Sequence, residues 1–113
     1  MAFTSSSVDK IERGVRQGGQ GIYSDMWFVT ATIDPSEIAA GAEDNGDLTV
    51  PGVQLGDIVL AWSMNKSPGT TSFFDVRVKA DDTLMVKITN AHASSALNIL
   101  EGEWKFVIGR PVW

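Results

Sequence analysis

Two neighbouring runs constrain this chain more than anything else in it. Phe74, Val76 and Val78 alternate with Asp75, Arg77 and Lys79, and then Leu84, Val86 and Ile88 alternate with Met85, Lys87 and Thr89. A repeat of two is the signature of a strand with one face buried and one wet, and no helix reproduces it. The short link Lys79-Ala80-Asp81-Asp82 joins the runs as an antiparallel hairpin. The pattern recurs near the end, where Trp104, Phe106 and Ile108 turn inward against Glu103, Lys105 and Val107. Earlier, Met26 to Ile33 sets Trp27, Val29, Ala31 and Ile33 on one face, with Met26 and Phe28 making the opposite face apolar too, so both faces are expected to be covered. Short runs of this kind, broken by Gly, Pro, Asn and Asp and with no helix of ordinary length, predict an all-β fold. The expected form is an antiparallel β-sandwich or small barrel with Greek-key or jelly-roll-like connections.

The remaining segments follow from turn chemistry. Asp34-Pro35 ends the first long strand, because proline fixes its own φ and biases the preceding residue toward an extended backbone. Leu48 to Val53 reads as a short strand whose Pro51 places it at an edge, an end or a bulge. After the Gly56-Asp57 turn, Ile58, Leu60, Trp62 and Met64 are expected to face the core, with Val59, Ala61 and Ser63 outward. A loop spans Ala91 to Ala96.

Residues 1 to 25 differ in character and read as an extended N-terminal arm ahead of a domain at 26 to 113. Ser7 is placed to cap one helical turn carrying Val8, Ile11 and Val15 on a single face, and the glycines from Gly14 to Gly21 would stop it and form a flexible joint. Such an arm is either a frayed terminus or a segment that orders against a neighbouring subunit. The polar start, from Met1 to Gly14, has no apolar stretch of the kind a secretory signal needs.

The 113 residues suffice for one domain, and the absence of cysteine removes disulfides and thiolate chemistry. Fourteen acidic against nine basic residues, a formal charge of −5, oppose attraction to nucleic acid phosphates, and no apolar run reaches the length of a membrane span. His92 is the only histidine, so a triad or a multi-histidine zinc site is excluded. Acid–base chemistry would rest on Glu43, Asp44, Asp47 and Asp57, or on Asp81 with Asp82, and each sits beside residues typical of turns. The run from Glu43 to Asp47 fails the spacing of a calcium loop, since Leu48 falls where that loop needs glycine. Of the four tryptophans, Trp62 and Trp104 fall in phase with core residues, whereas Trp113 ends the chain where it needs a surface to dock on. The expectation is a protein that is not an enzyme and takes no cofactor or metal.

A fixed order of motifs carries a resemblance over roughly residues 29 to 108. It comprises Ile33-Asp34-Pro35, Ile38 to Ala42, Thr49 to Gly52, Leu55-Gly56-Asp57, the hairpin from Val76 to Val86, and Trp104 to Val107. In this order the chain resembles the small β-sandwich module of structural proteins in tailed-bacteriophage particles. A free-standing module of that kind with its own N-terminal segment is most similar to a capsid decoration, or cement, protein. The resemblance implies a homotrimer on the outer capsid surface, with the major capsid protein as partner and no direct contact with nucleic acid or membrane. It also implies an arm that grips the shell, and it makes Phe3, Val8, Ile11, Val15, Tyr23, Met26, Phe28 and Trp113 the candidate capsid or intersubunit contacts. The alternative is a tail- or fibre-associated, carbohydrate- or receptor-binding sandwich, which would need an exposed aromatic platform.

Overall fold

The computed structural model describes residues 3–15, 23–69 and 71–112. Its strands are β1 (Ser5–Val15), β2 (Tyr23–Asp34), β3 (Glu43–Thr49), β4 (Ile58–Met64), β5 (Ser72–Ala80), β6 (Thr83–Asn90) and β7 (Gly102–Pro111). They form two antiparallel sheets, one of four strands in the order β1-β2-β7-β4 and one of three in the order β3-β6-β5. Four consecutive pairs, β2/β3, β3/β4, β4/β5 and β6/β7, lie in opposite sheets, so the chain crosses the sandwich repeatedly in the jelly-roll manner.

The alternation read from the sequence sets the core. Trp27, Val29, Ala31 and Ile33 of β2 and Trp104, Phe106 and Ile108 of β7 face Leu84, Val86 and Ile88 of β6 and Val78 of β5, all buried. Each large apolar side chain removed from water contributes about 1.5–3 kcal/mol. The β5–β6 hairpin turns through Asp81-Asp82 with Asp82 at φ 59, a left-handed conformation that Asp tolerates better than most residues. The same turn anchors the Pro51-Gly52 bend: Val50 N–H donates to Asp82 O, and Gly52 N–H donates to Asp82 Oδ1 at 2.8 Å. Asp82 is thus a turn residue tied into the fold.

Three segments depart from the sequence reading. The N-terminal segment is extended, but Ser5–Val15 is a strand paired along most of β2, and the helical turn capped by Ser7 does not form. The cause is the neighbour: β2 offers an open edge, and a bulge at Asp9 brings Val8 and Ile11 both onto the core. The flexible joint expected from Gly14 to Gly21 begins inside β1, where Gly14 pairs with Met26 and Val15 with Asp25, and the rest of it lies outside the described residues. Second, β3 starts at Glu43 and ends at Thr49, earlier than expected, because Val50 to Val53 is the bend held by Asp82. Third, β4 carries a bulge between Val59 and Ala61, so its residues change face midway. Val59, Trp62 and Met64 share register with the inward residues Ile108, Phe106 and Trp104, while Ile58 and Ala61 pair with outward Gly109 and Val107. One extra residue reverses the phase of everything before it, which is why Ile58 and Leu60 stand 38 % and 37 % exposed.

Candidate docking surface

The outer face of the four-stranded sheet divides into an apolar and a polar half. The register places Glu12, Phe28, Val107 and Ala61 in one row, Gly14, Met26, Gly109 and Ile58 in the next, and Tyr23 beside Pro111 in the last. Tyr23 and Leu60 close over Gly109, where an added Cβ would come within 2.7 Å of Tyr23 and 3.0 Å of Leu60. The bulge at Leu60 and a second one between Tyr23 and Asp25 aim these side chains onto that face. Among the large apolar side chains of these rows Phe28 is the most exposed, at 45 %. The patch continues around the end of the sheet to Leu55, which lines a shallow depression of about 260 Å³ with Gln54, Gly56, Asp57, Arg110 and Pro111. The polar half starts one row away, with Lys10, Thr30, Lys105 and Ser63, then Thr32 and Glu103. There Lys10 pairs with Glu12 at 2.7 Å, and Thr32 donates to Asp9 at 2.6 Å.

Of the residues singled out from the sequence, Tyr23, Met26 and Phe28 are brought together on this face. Phe3, Val8 and Ile11 are not: all three are partly buried and pack against the core. Phe3 lies over Gly46, where any side chain would strike its ring, and its N–H donates to Asn45 O. Val15 pairs with Asp25 through its backbone, and Trp113 lies outside the described residues.

The inner side of the same sheet end carries a polar cluster that sequence spacing did not reveal. Trp27 is fully buried between two guanidinium groups, with Arg13 4.7 Å and Arg110 5.1 Å from its ring centroid. Its Nε1–H donates to Pro51 O at 3.2 Å. Arg13 makes a bidentate pair with Asp25 at 3.1 and 2.6 Å, and Arg110 makes one with Asp57 at 3.0 and 2.9 Å while also donating to Gly52 O. Alternation alone gives Asp25 and Arg110 the inward phase of Trp27 and Ile108, which is the one signal that pointed here. These contacts lock the sheet end and fix the base of the apolar patch.

Hydrogen bonding from Arg13, helped by the charges of Arg13 and Arg110, holds the Asp25 carboxyl below its ordinary range against the opposing effect of burial. A carboxyl depressed in the folded state stabilises the protein above its unfolded-state pKa, and this contribution disappears as pH falls through the lower folded-state value. Asp75 is depressed in the same direction by Arg77. Thermal unfolding followed from neutral pH to about pH 2 should therefore show Asp25→Asn less stable than the parent at neutral pH, with the difference closing in acid. A gap that stays constant across the range would contradict the pairing.

Three further candidate carboxylates are engaged in structure. Glu43 pairs with Lys87 at 3.1 Å and Asp47 with Lys79 at 2.8 Å. Asp44, expected in a solvated turn, is fully buried in β3 and accepts the Ser36 N–H at 2.8 Å. His92 Nδ1 accepts the N–H groups of Ser94 and Ser95, which makes it a loop cap. Trp104 is buried, and Trp62 keeps the expected inward phase and stacks on it at 5.6 Å, although its place at the β4 edge leaves it 36 % exposed. Among the described residues no three of His, Asp and Glu converge as a metal site would require. Comparisons with protein families, with curated proteins and with solved structures return no match to this chain.

Proposed function

We propose that this protein is a structural binding module of a phage particle, a capsid decoration protein that lays the outer face of its four-stranded sheet on the assembled shell. The observation that carries this reading is the contiguous apolar strip of Tyr23, Met26, Phe28, Leu60 and Val107 on a regular sheet face, rimmed by Lys10, Glu12, Glu103 and Lys105. An apolar centre with a charged rim is the composition of a protein–protein contact. The resemblance carried by Asp34-Pro35, Thr49 to Gly52 and Leu55-Gly56-Asp57 supplies the kind of partner. Binding the lattice in preference to free subunits would stabilise the shell by mass action, and repeated copies would add avidity. Because Phe3, Val8 and Ile11 are partly buried against the core, the docking role is assigned to the sheet face in place of the arm.

Co-sedimentation with expanded, DNA-free shells of the particle that contains the protein tests this. The parent should saturate the shell and raise its rupture temperature, while Phe28→Glu, at a half-exposed position that leaves the core alone, should bind about thirtyfold more weakly, the loss expected for an anchor residue. Absence of the parent protein from the particle, or equal saturation by the variant, would refute the proposal.

A further inference from the structure

The two sheets have four edge strands, and three of them are guarded by charge. β1 carries Asp9, Lys10, Glu12 and Arg13, β3 carries Glu43, Asp44 and Asp47, and β5 carries Asp75, Arg77 and Lys79. β4, with the sequence Ile58 to Met64, has neither a charge nor a proline, and most of it is exposed. Charges, prolines and bulges are how proteins keep edges from pairing with other chains. Here the only such device is the bulge at Leu60, which leaves the stretch from Ala61 onward regular.

The hydrogen-bond alternation shows which groups of that stretch are open. Asn65 N–H donates to Glu103 O at 3.1 Å on β7. In an antiparallel ladder bonded residues recur at every second position, so Ser63 is also bonded to β7 and the N–H and C=O of Trp62 and Met64 point to the open edge. We infer that β4 is the self-association edge of this protein: two copies pair antiparallel about a twofold axis at Ser63, with Trp62 of each copy opposite Met64 of the other.

This register is self-complementary in each respect that matters at a sheet edge. Trp62 and Met64 both lie on the inner side, so a thioether meets the exposed part of an indole, a favourable contact. On the outer side Ser63 faces Ser63, and two small polar residues fit the close spacing of a non-hydrogen-bonded pair. The bulged Leu60 falls outside the paired segment. Charge narrows the choice of edge: β3 carries only acidic side chains, and β1 and β5 carry both signs, so a second copy would pair there only in registers that match Lys10 with Glu12 or Asp75 with Lys79. β4 alone accepts a second copy without bringing any charged side chain into the pairing. The result is a closed, isologous twofold dimer, in place of the trimer that the resemblance implies. The pairing joins two four-stranded sheets edge to edge and is independent of what their outer faces dock against.

Native mass spectrometry and sedimentation velocity of the full chain test the pairing, with circular dichroism to confirm folding. The parent should have twice the 12.2 kDa chain mass. Ser63→Glu sets two carboxylates directly opposite each other and should raise the dimer dissociation constant about tenfold or more, and Ser63→Lys should do the same. Mixing the two variants should restore a heterodimer, a rescue that a damaged fold could not give. A parent that is monomeric or trimeric, a dimer indifferent to both substitutions, or a mixture that fails to pair would overturn the inference.

Discussion

Trp27→Ala is expected to lower the free energy of unfolding by about 4 kcal/mol, a large part of the roughly 5–15 kcal/mol that holds a domain of this size together. The indole is fully buried in the middle of β2 and is the largest side chain at its end of the core. Truncation removes its transfer free energy and leaves a cavity that rigid strands on both sides cannot close. It also removes the ring on which Arg13 and Arg110 lie and the Nε1–H that satisfies Pro51 O. Trp27→Phe keeps much of the apolar volume and a ring face but loses the donor, so it should cost about 1–2 kcal/mol. Urea unfolding monitored by circular dichroism separates the two. An alanine variant as stable as the phenylalanine variant would mean that the two-arginine cluster, and not the indole, supports this end of the sandwich.

Asn90→Ala is the second large effect, at about 3 kcal/mol, and its mechanism is different. Asn90 is fully buried at the end of β6, and its side chain donates to Ile38 O at 3.0 Å and to Ser95 O at 2.9 Å while accepting the His92 N–H at 3.0 Å. Its backbone completes the joint, donating to Ala42 O and accepting from Gly41 N–H. One amide therefore ties the loop before β3 to the loop after β6, beside the Ile38–Leu97 bridge. Removing it strands several polar groups at once, and buried groups without partners are more damaging than the average hydrogen bond is helpful. Asn90→Asp should be at least as harmful, because a carboxylate would face two carbonyl oxygens in place of a donor. Hydrogen exchange should show the amides of Ile38, Gly41 and Leu97 losing protection in both variants. Protection unchanged at those amides would rule out the joint.

These two residues illustrate different degrees of legibility. Trp27 is plainly inward from the alternation of β2, yet its arginine partners come from β1 and β7, and neither contact has a local signature. Asn90 follows a strand and precedes a loop rich in small residues, as many solvated turn asparagines do, so nothing nearby in the chain marks it as a hub. The docking face was half legible: Tyr23, Met26 and Phe28 stand out because β2 is apolar on both faces, but Leu60 joins them only through a bulge. Phe3, Val8 and Ile11 have the right chemistry for a contact surface and were bound instead by the chain's own sheet.

The all-β class, the β5–β6 hairpin and the inward faces of β2, β5, β6 and β7 were legible in the chain, because side-chain alternation is a local property of an extended backbone. Tertiary structure alone decided that the N-terminal segment is a strand, that β4 changes face at Leu60 and that Trp27 is clamped by two arginines. Each of these depends on a pairing partner distant in the chain, and β structure takes its register from such partners and not from neighbouring residues.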